Sequence, residues 1–158
     1  MHQKENTTEA LFAFIKEHPA AHLATVTHDG KPFASTVYVY ANTSAEIYIA
    51  TLEETEKFKN IQANRYVALV ITDEVNQRTV QIQGTAAEET DPEVRMAMIQ
   101  QLAQVQARNK SGWPPPIIKL DKGRVRLVKV VPTWIRFSDF GDSDTVVQFE
   151  VAERNTKR

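Results

Sequence analysis

At 158 residues the chain is long enough for one domain with a sizeable core, and 42% hydrophobic with 25% charged residues is the balance of a folded globular protein. Lys and Arg number 19 against 20 Asp and Glu, a formal net charge of −1 that argues against nucleic-acid binding by bulk phosphate attraction and leaves only a local basic patch open. The absence of cysteine also excludes disulfides, thiolate catalysis and cysteine-ligated zinc.

Polar, mixed-charge residues open the chain from Met1 to Ala10, without the apolar run of a signal peptide. No stretch is apolar for long enough to span a membrane, so the expected compartment is the cytoplasm. Leu11, Phe12 and Ile15 recur at helical spacing, which predicts a helix from about Thr8 to Glu17, capped by Thr7 or Thr8 and ended by Pro19. Alternation over His22–Thr27 predicts a strand. Asp29-Gly30 supplies a turn favouring positive φ, and Pro32–Tyr40 is the returning strand of a hairpin.

Next, a polar turn at Asn42-Thr43-Ser44 precedes a third strand, Glu46–Thr51. The acidic run Glu53, Glu54 and Glu56 opens a short helix to Ala63, acidic residues being favoured at the positive end of the helix dipole. Tyr66–Thr72, apolar on both faces, reads as a central strand, and Thr79–Glu88 alternates Val80, Ile82 and Gly84 against polar neighbours. Asp91-Pro92 starts a helix running to about Val105. Asn109–Pro116, with three consecutive prolines, is expected to be an irregular loop. Two strands, 124–131 and 133–140, are expected to meet at a Pro132 kink, with a frayed tail from about Ala152. The predicted fold class is mainly β with peripheral helices: a closed or nearly closed antiparallel barrel over 1–158 as one domain, since closure removes exposed strand edges.

Several segments together resemble one family. The run Leu23-Ala-Thr-Val-Thr-His-Asp-Gly-Lys-Pro32, the segment Ile47-Tyr-Ile-Ala-Thr51 followed by Lys57, Asn60-Ile61 and Asn64, and Arg78-Thr-Val-Gln-Ile-Gln-Gly84 are similar to pyridoxamine-phosphate-oxidase-like proteins, in order and spacing. The resemblance covers about 14–89 and extends to a last strand at 125–140. It implies an FMN-binding split β-barrel of Greek-key form, homodimeric, with the cofactor at the subunit interface and a small-molecule substrate.

By the same resemblance, the strand Ser35, Thr36, Val37, Tyr38, Val39 and Tyr40 would line the flavin ring and ribityl chain, and Thr51 would hydrogen-bond the cofactor. Lys57 matches the phosphate-binding lysine, in the first turns of a helix whose free N–H groups also favour phosphate. Thr79 would face the flavin, and Trp134 would reach the ring from the second subunit. The chain also departs from the true oxidases. Ser35 and Tyr40 stand where they carry arginine and lysine, Glu56 where they carry the arginine before the phosphate lysine, and the C-terminal arginine-rich motif is missing. Oxidation of pyridoxamine phosphate is therefore not the expected activity; a general stress-protein-like or flavin reductase-like member fits better.

Residue by residue, plainer explanations compete. Lone helix lysines are usually solvated, strand threonines are common, and Trp134 can cap a core. Trp113, beside its prolines, either packs structurally or covers a pocket. His2, His18, His22 and His28 form no metal-like pair, so no metal is expected. His22, Asp29 and Ser35 lack the context of a hydrolytic triad. With no other catalytic machinery in the chain, hydride chemistry would come from the cofactor. Three readings follow: an FMN-dependent oxidoreductase, with a deazaflavin-dependent variant; a non-catalytic flavin or haem module that stores or senses its ligand; and a cofactor-free oligonucleotide-binding-like barrel.

Overall fold

A computed structural model describes residues 2–108, 124–141 and 145–150. In chain order the elements are α1 (His2–Glu17), β1 (Ala20–Val26), β2 (Pro32–Tyr38), β3 (Tyr40–Ala41), β4 (Ile47–Leu52), α2 (Glu56–Ala63), β5 (Tyr66–Asp73), β6 (Arg78–Glu88), α3 (Pro92–Arg108), β7 (Val125–Asp139) and β8 (Thr145–Glu150). The expected loop at Asn109–Pro116, Trp113 and the tail from Ala152 lie outside the described residues.

Every strand pair is antiparallel, and the sheet runs β2-β1-β5-β6-β7-β4-β3, with β8 added beside β7. Its two ends, β2 and β3, are consecutive pieces of one extended segment broken only at Val39. That segment pairs with β1 over its first part and with β4 over its last, so the sheet curls until both edges meet on the same stretch of chain. Val39, at the seam, is fully buried.

Alternation decides what fills the curl. Ala21 and Leu23 of β1, Val67, Leu69 and Ile71 of β5, Val80 and Ile82 of β6, Val128, Val130 and Ile135 of β7, and Ile47 and Ile49 of β4 form one buried cluster. A fully buried Leu or Ile contributes roughly 1.5–3 kcal/mol, so this interior dominates the stability of the barrel. Helix α1 closes one end with Leu11, Phe14 and Ile15, and Phe14 meets Phe137 edge to face at 5.7 Å. Helix α2 closes the other with Phe58 and Ile61, fixed by a buried bond in which Asn60 Nδ2 donates to Thr25 Oγ1 at 3.0 Å. Helix α3 lies outside the barrel, where Leu102 packs on Tyr48 and Leu127.

Several expectations need correction. The first helix begins at His2, so Thr7 and Thr8 lie inside it rather than at its start. What was expected as one strand from Pro32 to Tyr40 is two, because Val39 switches partners at the seam. The two strands expected around Pro132 are one continuous strand, β7. Pro132 is tolerated because the ladder with β6 shifts register between Gln83 and Gly84: Gln83 opposes Trp134, Gly84 opposes Pro132, and Thr133 is left as the extra residue. Strand β8 was not anticipated. The hairpin turn is as expected, with Gly30 at φ +82°.

Candidate cofactor site

The sharpest arrangement lies where β4 runs into α2. Thr51, 5% exposed, follows Ile47 and Ile49 on the inward face of β4, and its hydroxyl is 2.9 Å from that of Thr55. Thr55 is the N-cap of α2, but its hydroxyl donates to Leu52 O at 2.8 Å and makes no cap bond to the helix amides. Two hydroxyls and the first N–H groups of an eight-residue helix are thus gathered at one spot.

Lys57 sits in that first turn. It is half-buried, and among the described residues it has no hydrogen-bond or ion-pair partner. Burial alone pushes its ammonium below the ordinary lysine range. The neighbouring Lys59 is exposed and spends its charge on Glu56 at 2.9 Å. A half-buried cation without a counterion is costly to maintain, and an anion from outside the chain would relieve that cost.

The next cation is already occupied. Arg126, directly opposite Thr51 on β7, reaches Glu53 at 3.1 Å and Glu88 at 2.9 Å, and the Glu53 carboxylate foremost raises its guanidinium pKa.

The other predicted residues divide between the two faces of the sheet. Ser35 and Val37 lie opposite Leu23 and Ala21 and so share their inward direction. The Ser35 hydroxyl oxygen is buried and has no hydrogen-bond partner, a free polar atom that a ligand hydroxyl or phosphate oxygen could satisfy. Thr36 faces outward, its hydroxyl 3.4 Å from His22 Nδ1. Tyr38, 4% exposed, follows Thr36 in the outward alternation.

On β6, Thr79 faces outward and donates to Ile71 O at 3.2 Å; its neighbours across the ladder are Thr72 and the buried Ser138. Trp134 is half-buried on the same outer face, between Gln83 and Glu150 and removed from Thr79 along β7.

One chain therefore pairs Thr51 with Thr55, places Lys57 two residues further on in the first turn of α2, and leaves Thr36, Thr79 and Trp134 spread over the outer sheet. Of the residues the resemblance assigns to the flavin, Val39 and Tyr40 alone line the cavity of about 510 Å³ found at the α1 end of the barrel. Sequence reasoning missed Thr55 and Ser138. The Thr51–Thr55 spacing, spanning strand end and helix cap, was a readable signal for the first. Ser138 became visible only once the shift at Gly84 set the register of β7. Among the described residues no three potential metal ligands cluster, and no helix is long and apolar enough to cross a membrane.

The sequence itself matches a known family. The family model for pyridoxamine 5'-phosphate oxidase covers residues 7–139. The chain belongs to the pyridoxamine 5'-phosphate oxidase family.

Solved structures of this fold superimpose closely at low identity. General Stress Protein 26 from Bacillus anthracis is 17% identical, with TM-score 0.64 over 90% of this chain and 98% of its own. A NimC/NimA family protein from Clostridium acetobutylicum is 16% identical, with TM-score 0.67 over 94% and 99%. A haem-binding protein from Mycobacterium smegmatis is 16% identical, with TM-score 0.63 over 90% of this chain and 57% of the longer protein. At such identities these likenesses establish the fold. No curated protein matches the chain in sequence.

Proposed function

We propose that this member of the pyridoxamine 5'-phosphate oxidase family is a single-domain cytoplasmic homodimer that binds FMN between its subunits and exchanges hydride with a small molecule. The observation that carries the reading is Lys57: half-buried, unpaired among the described residues, and two residues past Thr55, whose hydroxyl meets that of Thr51 at the helix start. That donor set suits a phosphate monoester. Lys57 would hold the phosphate charge, Thr51 and Thr55 its oxygens, and Ser35 the ribityl side.

Outward-facing Thr36 and Thr79 would meet the ring, which a second copy, contributing Trp134, would cover. FMN, when bound, supplies the hydride chemistry that the chain's own residues lack. Because Ser35, Tyr40 and Glu56 replace cations, the substrate is expected to differ from pyridoxamine phosphate.

The test is a fluorescence titration of FMN into the apoprotein and into Lys57→Ala. Loss of a charge-assisted hydrogen bond should weaken binding by about 1.5–3 kcal/mol with the far-ultraviolet dichroism unchanged. Equal affinities would remove the phosphate role of Lys57.

Haem is the second reading, favoured by the likeness to the mycobacterial haem-binding protein and by the exposed His22 on the outer sheet. A Soret band in freshly purified protein, or a released ligand with the mass of a deazaflavin, would replace FMN as the resident group.

A further inference from the structure

The outer face of the sheet carries one row of residues paired across six strands: Thr36, His22, Val70, Gln81, Arg136 and Gln148. No carboxylate stands in that row. Arg136, on β7, is half-buried, and its Nε is enclosed without a hydrogen-bond partner. Among the described residues its guanidinium forms no ion pair. The exposed amides of Gln81 and Gln148 flank it on the neighbouring strands, about 4.8 Å to either side, and their side chains make no hydrogen bond among the described residues. An enclosed N–H without an acceptor is costly, and so is a half-buried cation without a counterion.

We propose that Arg136, with Gln81 and Gln148, holds the carboxylate of the small-molecule substrate. A guanidinium presents two parallel N–H groups that match the two oxygens of a carboxylate, and the flanking amides can donate to the lone pairs that remain. One cation between two neutral amides balances the single charge of a carboxylate rather than the near-double charge of a phosphate monoester. Trp134, two residues away on the same face of β7, offers an aromatic wall to the body of the ligand. That the anion is a substrate rests on the flavin reading, in which Trp134 reaches the ring from the second copy. Arg136 then arrives with it, on the side of the ring open to a reactant. Lys57, on α2, is the cation assigned to the FMN phosphate, so the phosphate and the carboxylate have separate holders.

Benzoate and its neutral isostere benzamide provide the test. FMN is first titrated into the wild-type protein, which decides the flavin reading by itself; no binding there would overturn both. In the FMN-loaded protein, calorimetry should show one benzoate per chain, bound at least about tenfold more tightly than benzamide, with a perturbed flavin absorption band. Arg136→Gln should weaken benzoate by roughly ten- to hundredfold, the worth of a hydrogen bond to a charged group, and leave benzamide as it was. Arg136→Lys keeps the charge without the paired N–H groups and should fall between.

Gln81→Glu, at an exposed strand position, sets a carboxylate directly across from the guanidinium and should block benzoate as strongly. Benzoate bound no tighter than benzamide, or bound with wild-type affinity by both Arg136→Gln and Gln81→Glu, would overturn the carboxylate site and leave FMN binding standing. Sedimentation of Arg136→Gln at half the mass of the parent would overturn it too, by giving the guanidinium to the second copy instead of a substrate.

Discussion

Lys57 shows how one side chain ties burial to function. Desolvation lowers its ammonium pKa in the ligand-free protein, and a bound phosphate would raise it again by supplying the missing countercharge. Binding therefore favours the protonated form and weakens as pH rises through the lowered ligand-free value. FMN affinity measured across alkaline pH should fall earlier than an ordinary lysine would dictate, and Lys57→Arg should move that fall to higher pH.

Asp73 behaves in the opposite sense. It is 4% exposed, and Asn76 first, then Arg78 at 2.6 Å, hold its carboxyl well below the usual carboxylate range, with His18 at 3.3 Å beyond them. A depressed folded-state pKa means that its contribution is complete above the unfolded value of about 4 and disappears as pH falls through the folded one. Asp73→Asn should lower the melting temperature at neutral pH. The gap between variant and parent should then close below about pH 4.

At the level of elements, Gly84 is the point where packing and sequence meet. A Cβ at this position would stand 2.5 Å from the Val131 carbonyl oxygen and 3.2 Å from the Pro132 Cα, both backbone atoms of β7. Only glycine allows β7 to press against β6 where the register shifts. Gly84→Ala should destabilise by about 1–3 kcal/mol, the range for overpacking a core, in a denaturant melt.

Elements with a local cause were legible in the sequence. The Asp29-Gly30 hairpin, the Pro92 helix start and the alternation of β6 each carry their reason within a few residues. Features with a distant cause were not. The partner switch at Val39 depends on β1 and β4, and the unbroken course of β7 through Pro132 depends on a bulge facing Gly84. The site divides in the same way. Thr51 and Lys57 are close in sequence, at the strand end and helix start that Thr55 joins, whereas the relation of Thr36, Thr79 and Trp134 to them is a matter of assembly that no local pattern encodes.

For the whole molecule, the spread of those outer-face residues makes the dimer the deciding question. The proposed site is incomplete in one copy, so sedimentation of the flavin-loaded protein should give twice the chain mass of 17.9 kDa. A monomer that retains flavin would contradict the two-subunit site. The exposed Tyr66 and Val131, next to the outer face that bears Trp134, would lose solvent in such an assembly, and hydrogen exchange in β5 and β7 should slow with it.

The segment from Pro32 to Ala41 has a consequence for folding accuracy. Because β2 and β3 are covalently continuous, sliding one against its partner drags the other in lockstep. A one-residue error would turn inward-facing side chains outward along β1 and, at the same moment, along β4. The two ladders thereby proofread each other, and misaligned barrels are penalised twice for a single mistake.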